Sequence, residues 1–377
     1  MPGNVPAMTT SRKAFDELLA TLTEVADRFA GPEWGIGSPQ DEAEALRLVL
    51  HQLATGLETQ FEDDPAHPIF REIVTPWRKV LGDNPDARYH DAIVHPDGVY
   101  RVRGNTGGAV YVSFTVEEGP RDGSMPTRTA GVLNDNHFHV DDDGEFEFVV
   151  GGPRRDGGWL PLTTDASRVT VRHYWEDLIA PATPPAPSLG LSMERIDGVV
   201  PAAPVPPSDE SVAASIQRLA RFVRSRTMES LQPPGAADPP AFVSRVPNEF
   251  PLPVPPGDHA LAAADATYAM APYLLGPDDA LVMRVRWPRC RYGGVALWNR
   301  QLQTYDYLRG PVGLNREQAV TDPEGIATVV IAHRDPGVPN WLTTEGRAFG
   351  LVFWRFLLVE GPVDPIAARV VPVDSLR

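Results

Sequence analysis

The chain has 377 residues, with a formal net charge of −16 at pH 7, 42% hydrophobic residues and 22% charged residues. These proportions are typical of a folded globular protein, and the length exceeds what one ordinary core supports, so we expect two units with attachments. Because the negative charge repels polyanions and the arginines are scattered, we expect neither nucleic acid nor an anionic membrane as a partner.

Cysteine and lysine are scarce, and this excludes several classes of site. Cys290 is the single cysteine, so the chain cannot form an internal disulfide or a thiolate zinc cluster. The two lysines, Lys13 and Lys79, do not follow a glycine, which rules out a phosphate-binding loop. No stretch approaches the roughly eighteen apolar residues of a membrane span, and charges interrupt the first residues, so we predict a cytoplasmic location.

Two amphipathic helices are predicted in the N-terminal region, residues 1–83. The first begins near Ser11, which can cap it, and runs to about Phe29, because apolar side chains recur there at helical spacing. The second begins at Ser38, has proline in its first turn and carries a stripe of leucines. We expect the two helices to pair as a hairpin that covers another surface.

Residues 84–180 change to the alternating pattern of strands, interrupted by glycine-rich turns, and are predicted to form a first β-sandwich unit. Residues 181–258 are rich in proline and are expected to be a connector with one helix, from Ser208 to about Leu231. A second β-sandwich unit is predicted in residues 259–377, with strands at 280–287, 295–305, 326–332 and 350–358.

The two β regions carry matching short motifs in the same order, which is the pattern that an internal duplication leaves. The pairs are Pro96-Asp97-Gly98 with Pro277-Asp278-Asp279, Arg101-Val102-Arg103 with Arg284-Val285-Arg286, Gly107-Gly108 with Gly293-Gly294, Trp159-Leu160 with Trp341-Leu342, and Arg172 with Arg355. We therefore predict a mainly β protein built from two duplicated units. Arg172 and Arg355 are expected to share a structural role, such as pairing with aspartates of each repeat.

Several of these segments resemble a known bacterial family. They are Asn84-Pro85-Asp86, Pro96-Asp97-Gly98 and the run from Asp335 to Gly346, together with Asn315 and Arg355. Over roughly residues 84–178 and 260–358 the chain resembles the family called domain of unknown function 1214. The resemblance implies a jelly-roll-like fold for each unit and no particular reaction. Where that family usually has Asp-Thr-x-Gly-His, this chain has Thr343 to Arg347, so that Asp and His have no counterpart.

Two groups of histidines are candidates for chemistry. His137 and His139 alternate on a predicted strand, and Asp141 follows with the same parity, so the three could ligate iron, manganese or zinc. The alternative is a polar strand edge that enters an acidic turn. His173, beside Arg172 near the end of a strand, could be a general base, or a buried histidine held by hydrogen bonds.

The second β unit contributes the remaining candidates. His333 and Asp335 could transfer a proton, or Asp335 could cap its own turn. Amides and a phenol alternate on the predicted strand 295–305, which favours either a solvent-facing sheet or the wall of a ligand cavity. Trp341 and Trp159 could close the core or stack on a sugar. The predicted ligand-binding residues are Asn299, Gln301, Tyr305, Asn315, Asn340, Trp341 and Arg355.

Three functions remain open. The first is a cofactor-independent enzyme, or an accessory protein of a metabolic pathway, acting on a small apolar molecule with hydroxyl or carbonyl groups, such as a lipid, steroid or terpenoid. The second is a non-catalytic carbohydrate-binding β-sandwich, and the third is a metal-dependent jelly-roll enzyme that uses His137 and His139. No cofactor is predicted, and the sequence contains no serine-hydrolase elbow, zinc-protease helix or dinucleotide fingerprint.

Overall fold

The computed structural model describes residues 8–376 except 178–179, 199–204, 232, 234, 236–237, 258 and 260. In this part of the chain strands predominate, and the α-helices are α1 (Thr10–Phe29), α2 (Pro39–Gly56) and α3 (Asp209–Arg224). A π-helical turn follows α2 at Leu57–Phe61, and another follows α3 at Ser225–Glu229. None of these helices is long and apolar enough to cross a membrane.

The first β-sandwich unit consists of two sheets that pack face to face. Its strands are β1 (Arg71–Glu72), β2 (Ala87–Ile93), β3 (Tyr100–Asn105), β4 (Tyr111–Glu118), β5 (Arg128–Asn134), β6 (Glu145–Val150), β7 (Trp159–Leu160), β8 (Ala166–Tyr174) and β9 (Ser192–Arg195). Sheet A has the order β1-β2-β8-β4-β5, and sheet B has the order β7-β6-β3-β9. The core between them is apolar and includes Phe114, Phe148 and Val171.

The second β-sandwich unit has the same construction. Its strands are β10 (Ala266–Leu274), β11 (Asp279–Arg286), β12 (Tyr292–Trp298), β13 (Gly313–Asn315), β14 (Ile326–Ala332), β15 (Trp341–Thr343), β16 (Phe349–Leu357) and β17 (Ala367–Pro372). Sheet C has the order β10-β16-β12-β13, and sheet D has the order β15-β14-β11-β17. Its core includes Leu281, Val329 and Trp354.

The second unit repeats the first strand by strand, from β2 and β10 through β9 and β17. Both units contain one parallel pair of strands, β6 with β7 and β14 with β15. The indole N–H of Trp159 donates to the carbonyl of Gly151 at 3.0 Å, and that of Trp341 donates to Ala332 at 3.3 Å. Each acceptor lies two residues beyond the strand partner of its tryptophan, so both indoles close their sandwich in the same way.

The two units pack through the outer faces of sheets A and C, where matching residues exchange hydrogen bonds. The Tyr111 hydroxyl donates to Asp265 at 2.6 Å, and the Tyr292 hydroxyl donates to Asp86 at 2.8 Å. The two tyrosines begin β4 and β12, and the two aspartates immediately precede β2 and β10. The contact is therefore reciprocal, as expected when two copies of one unit are related by an approximate two-fold axis.

The helices form a three-helix cluster rather than the predicted hairpin of α1 and α2. Helix α1 packs mainly against α3 of the connector, and their apolar faces share one core with α2. Asp209, the first residue of α3, accepts hydrogen bonds from the backbone N–H groups of Thr10 and Ser11 at 2.7 and 3.0 Å. These N–H groups lack partners within α1, so α3 satisfies the start of α1. Thr9, rather than Ser11, is the N-cap residue of α1.

Two other differences from the sequence predictions concern strand boundaries. Strand β9 lies in the predicted connector and pairs with β3, so a piece of this proline-rich segment completes sheet B. Strand β12 ends at Trp298, whereas the pattern predicted a strand through residue 305. Asn299 ends it because its Oδ1 accepts hydrogen bonds from the backbone N–H groups of Gln301 and Gln303, which turns the chain back on itself.

Candidate functional site

The outer face of sheet A carries charged side chains that are fully covered. In β8 the side chains alternate, so that Val169 and Val171 enter the core, while Arg168, Thr170 and Arg172 point to the other face. An outward face of this composition normally contacts water, yet Arg168 is only 2% exposed. Burial of ionised groups is costly unless they are paired, so this face needs a specific explanation.

The neighbouring strands supply the partners of these arginines. Asp91 of β2 forms an ion pair with Arg168 at 3.0 Å and accepts a hydrogen bond from Thr170 at 3.2 Å. Arg172 donates to the Thr115 hydroxyl at 2.7 Å and lies 3.9 Å from the carboxylate of Glu117, both in β4. We call this set the polar row; it consists of Asp91, Thr115, Glu117, Arg168, Thr170 and Arg172.

Of the polar row, the matching face of sheet C keeps only the counterpart of Arg172, which is Arg355. Thr170 pairs with Asp91 and Thr115 across its two neighbouring strands, and the matching Phe353 pairs with Met270 and Ala296. One pleat further along the strand, Leu351 takes the place of Arg168, and Trp298 that of Glu117. The same fold therefore packs this position with apolar side chains, and the charges of sheet A are not required by the architecture.

The π-helical turns that end α2 and α3 contribute to the cover of sheet A. Arg226, in the turn after α3, is buried, and this burial, together with the positive charge of Arg168, lowers its pKa to about 9. Asp91 opposes that effect. The Nε atoms of Arg168 and Arg226 have no hydrogen-bond partner among the described residues. Turns of this kind are rare and recur at functional sites.

A cavity of about 200 Å³ opens where the helical region meets the edge of sheet A. Two of its lining residues follow α2, namely Gln60 and Asp63, while Arg218 comes from α3 and Arg168 from β8. The complete lining is Gln60, Asp63, Pro65, Ile93, Pro120, Arg121, Ser167, Arg168 and Arg218. Segments far apart in the sequence thus build one cavity of mixed polar and apolar lining at the end of the polar row.

Asp63 is the carboxylic acid in the cavity wall. Its burial raises its pKa to about 7, while the nearby guanidinium groups of Arg218 and Arg168 act in the opposite direction. A carboxyl group in this range exists in both protonation states near neutral pH, which is the property required of a general acid or base.

The cavity has an excess of positive charge. Arg218 donates to the backbone carbonyl of Gln60 at 3.2 Å and to the Ser215 hydroxyl at 2.9 Å, both of which are uncharged. Across the described ranges, no ion pair involves Arg121 or Arg218. The loop that carries Arg121 approaches α3 closely at Gly123, where any Cβ atom would clash with the carbonyl of Arg218.

The predicted pair of His333 and Asp335 is not assembled. His333 Nδ1 lies 2.5 Å from the Thr344 hydroxyl, and Asp335 accepts a hydrogen bond from the backbone N–H of Gly337 at 2.8 Å. Asp335 therefore caps its own turn, which is the alternative that its Pro-Gly context favoured.

His173 is fully buried in the first sandwich and does not reach the cavity. Its ring stacks on Trp175 with a centroid separation of 5.9 Å. Burial, with a contribution from Arg88, lowers its pKa to about 3, so the imidazole is neutral. The structure thus differs from the predicted general base, because a ligand in the cavity cannot contact this ring.

The predicted cavity wall in residues 299–305 is instead a buried turn. Asn299 and Gln301 are covered, and the Tyr305 hydroxyl lies 2.6 Å from the Tyr273 hydroxyl. Lys79 donates to the backbone carbonyls of Thr304 and Tyr305, which ties the N-terminal region to this turn. Gln301 Oε1 is buried without a hydrogen-bond partner among the described residues, and none of these residues lines the cavity beside Arg168.

The predicted residues Asn315, Asn340 and Trp341 hold backbone segments in place. Asn315 donates to the carbonyl of Glu176 at 3.2 Å, and Asn340 donates to the carbonyl of Val320 at 2.7 Å. The indole N–H of Trp341 is bonded to Ala332, which supports the role of closing the core. None of these three side chains lines the described cavities.

Arg355 lies at the contact between the two sandwiches, and its partners differ from the predicted aspartates. It donates to the hydroxyl groups of Tyr89 at 2.9 Å and Tyr174 at 2.6 Å, and to the carbonyl of Gly82 at 3.1 Å. Its guanidinium group also lies over the ring of Phe353, 5.0 Å from the centroid. Arg355 is therefore a buried residue whose hydrogen bonds connect the two units.

Two of the predicted metal ligands, His137 and Asp141, have hydrogen-bond partners of their own. His137 Nδ1 lies 2.9 Å from Asn134 Oδ1, and Asp141 accepts hydrogen bonds from the backbone N–H groups of Asp143 and Glu145. His139 and Asp141 border a shallow cavity of about 370 Å³. Within the described ranges, no group of three or more His, Cys, Asp or Glu side chains is arranged to hold a metal ion.

Comparison with solved structures finds the same fold in uncharacterised proteins. A crystal structure of an uncharacterized protein from Burkholderia cenocepacia matches with a TM-score of 0.79 and 26% sequence identity, covering 97% of this chain and 97% of that chain. The VPA0106 protein from Vibrio parahaemolyticus matches with a TM-score of 0.52 and 11% identity, covering 93% of this chain and 100% of that chain. No family model and no curated protein matches the chain. The predicted mainly β class of sandwich units is confirmed.

Sequence reasoning missed Asp63, Asp91 and Arg168, although one signal was present. When the two repeats are aligned on Arg172 and Arg355, Arg168-x-Thr170 of the first corresponds to Leu351-x-Phe353 of the second. Charged residues that replace large apolar ones in a duplicated strand indicate that one copy has acquired a separate role. Asp63 carries no such signal because it lies outside the repeats.

Proposed function

We propose that the protein is a cofactor-independent enzyme that transfers protons on a small metabolite with carbonyl and hydroxyl groups, bound in the cavity between the helices and sheet A. The observation that carries this proposal is the placement of the Asp63 carboxyl group in one cavity wall with the guanidinium groups of Arg168 and Arg218. A titratable acid beside fixed cations in a partly closed cavity is typical of acid–base catalysis. We place this activity in the cytoplasm.

The proposed step is proton abstraction next to a carbonyl group. The carboxylate of Asp63 takes a proton from the carbon beside the carbonyl, the electron pair moves to the carbonyl oxygen, and an enolate forms. A guanidinium group stabilises the negative oxygen, because a preorganised donor in a cavity interacts strongly with developing charge. Asp63 then returns its proton to carbon or oxygen, so no oxidant, reductant or further reactant is needed.

The size and polarity of the cavity refine the class of metabolite. A volume of about 200 Å³ corresponds to about seven water molecules of the liquid, which is enough for a short metabolite. The lining combines charged and polar side chains with Pro65, Ile93 and Pro120, and the small volume favours a smaller molecule than a lipid, steroid or terpenoid. Trp159 and Trp341 use their indole N–H groups on backbone carbonyls, which favours core closure over sugar stacking.

Deuterium exchange tests the proposal. The protein is incubated in D₂O with hydroxyacetone and with 2-oxobutanoate, and loss of the proton next to the carbonyl is followed by nuclear magnetic resonance. We expect exchange above the buffer rate with the unaltered protein and at least a 100-fold loss with Asp63→Asn, since the amide cannot accept the proton.

Asp64→Asn is the matched control, because Asp64 is the exposed neighbour that pairs with His67 at 2.7 Å. It should exchange at the original rate. Exchange that persists in Asp63→Asn at the original rate, or that is absent in the unaltered protein with both compounds, contradicts the proposal.

A further inference from the structure

The cavity and the residues directly behind it contain more cationic than anionic groups. Asp91 lies between two buried guanidinium groups, because it pairs with Arg168 and interacts electrostatically with Arg226. Arg218 and Arg121 add two further positive charges on the other walls. Glu117 also acts on Arg226 and pairs with Arg172, so five guanidinium groups are opposed by three carboxyl groups; the residues are Arg121, Arg168, Arg172, Arg218, Arg226, Asp63, Asp91 and Glu117.

Such an excess is unusual in this protein. The chain as a whole carries a formal charge of −16, so a random surface depression would present acidic groups. Arg121 and Arg218 of the cavity lining have no ion-pair partner among the described residues, and an anionic ligand that binds here supplies the missing counter-ion. Arg168 borders the cavity, and its buried Nε atom has no hydrogen-bond partner in the described structure, so the protein alone does not satisfy this guanidinium group.

We infer that the metabolite is a short carboxylic acid, whose carboxylate is held by Arg168 and Arg218 while the carbon next to its carbonyl group faces Asp63. This inference rests on the proposed function and specifies its substrate class. The planar fork of arginine matches the two oxygens of a carboxylate, and such charge-assisted pairs are among the strongest hydrogen bonds in proteins. A four- or five-carbon oxo or hydroxy acid is commensurate with the cavity volume of about 200 Å³.

Calorimetric titration with three probes tests the inference. The probes are 2-oxobutanoate, its neutral isostere 2-oxobutanamide, and inorganic phosphate. We expect the acid to bind at least tenfold more tightly than the amide and than phosphate. If the amide binds as tightly as the acid, recognition of a carboxylate is wrong. If phosphate binds more tightly than the acid, the site recognises a phosphoryl group instead. If none of the three probes binds, the inference is wrong.

Arginine variants locate the contact. Arg218→Gln should weaken binding of the acid about tenfold to 100-fold and leave binding of the amide unchanged, since a charged hydrogen bond contributes about 1.5–3 kcal/mol. Arg121→Gln, at the exposed rim, should weaken binding of the acid less than Arg218→Gln does. It is the variant to test if Arg218→Gln does not fold. Arg309, whose side chain is 87% exposed and far from the cavity lining, provides the control Arg309→Gln. Equal affinity in all three variants contradicts the inference.

The experiments distinguish a wrong proton-transfer role from a wrong carboxylate inference. If Asp63→Asn retains deuterium exchange while the acid binds through Arg218, the proton-transfer role is wrong and the carboxylate site remains. If Asp63→Asn loses exchange of hydroxyacetone while acid and amide bind alike, the acid–base role remains and the carboxylate inference is wrong.

Discussion

The carboxyl group of Asp63 links the stability of the protein to pH as well as to the proposed reaction. Its pKa is raised from the ordinary value of 3.8 to about 7 by burial, so the folded protein holds this proton more tightly than the unfolded chain. Between about pH 4 and pH 7 the folded state is the one that binds the additional proton. Stability contributed by this group is therefore present at low pH and is lost as pH rises through 7.

Asp63→Asn removes this dependence. We expect the variant to be more stable than the unaltered protein by about 2 kcal/mol at pH 8, after allowance for partial screening, and no more stable at pH 4. Urea unfolding at the two pH values measures the difference, with Asp64→Asn as control. A constant difference at both pH values would show that the Asp63 carboxyl does not titrate in this range.

His173 has the opposite effect on how the stability of the protein depends on pH. Its pKa lies near 3 in the folded protein and near 6.5 in the unfolded chain, so the unfolded state takes up the proton first as pH falls below 6.5. Stability is lost over this window on acidification. His173→Phe keeps a ring against Trp175 and removes the titrating group. The difference in free energy of unfolding between this variant and the unaltered protein should therefore shift by about 2 kcal/mol in favour of the variant when the pH falls from 7.5 to 5.

The same variant tests the role of His173 in chemistry. Because the ring is buried away from the cavity, His173→Phe should retain deuterium exchange at the original rate. A loss of exchange in a folded variant would restore the sequence hypothesis of a general base at this position.

At the scale of elements, sheets A and C show that one strand pattern accepts two kinds of outer face. The periodicity of β8 and β16 is the same, and both inner faces are apolar. The outer faces diverge at Arg168 and Leu351, and at Thr170 and Phe353. Sheet C forms the same strand order with apolar side chains at these positions, so we expect the free-energy cost of burying the charges of the polar row to be measurable.

Replacing Asp91 and Arg168 by the residues at the matching positions of sheet C, together with Arg226 by methionine, measures that cost. The combined variant Asp91→Met, Arg168→Leu and Arg226→Met should be as stable as the unaltered protein or more stable by about 1–4 kcal/mol, because it removes buried charges together. Asp91→Met alone should lose about 3–5 kcal/mol, since it leaves buried guanidinium groups uncompensated. Urea unfolding separates the two cases, and the combined variant should also lose binding of 2-oxobutanoate.

At the scale of the whole molecule, the two sandwiches are joined by groups that neither could leave unpaired. Arg355 of the second unit donates to the hydroxyl groups of Tyr89 and Tyr174 of the first, and the aspartates before β2 and β10 each accept a hydrogen bond from a tyrosine of the other unit. If the units separated, these groups would lose their hydrogen bonds. We therefore expect the two units to unfold together.

Coincident unfolding curves test this expectation. Far-ultraviolet circular dichroism and tryptophan fluorescence should report one urea transition, and Tyr292→Phe should shift it by about 1–3 kcal/mol in both signals, because Asp86 loses a buried donor. Two separate transitions, or a shift confined to one signal, would show that the sandwiches are independent.

Local patterns in the sequence were sufficient for the main elements. The helical spacing after Ser11 and Ser38, the alternation in β8 and the repeated motifs around Trp159 and Trp341 report interactions between near neighbours or between copies of one unit. They therefore led to the helices, most strands and the pair of sandwiches. The extension of β12 past Trp298 was wrong because the Asn299 side chain, rather than the alternating pattern, sets the end of that strand.

The location of the candidate site was decided by tertiary structure alone. An arginine on the outer face of a strand has the same pattern whether water or protein covers it, and Arg168 is buried where segments of the helical region meet sheet A. Asp63 acquires its raised pKa from the same packing. Burial depends on segments remote in the sequence, so the sequence determined which side chains are present, and the fold determined which of them became a site.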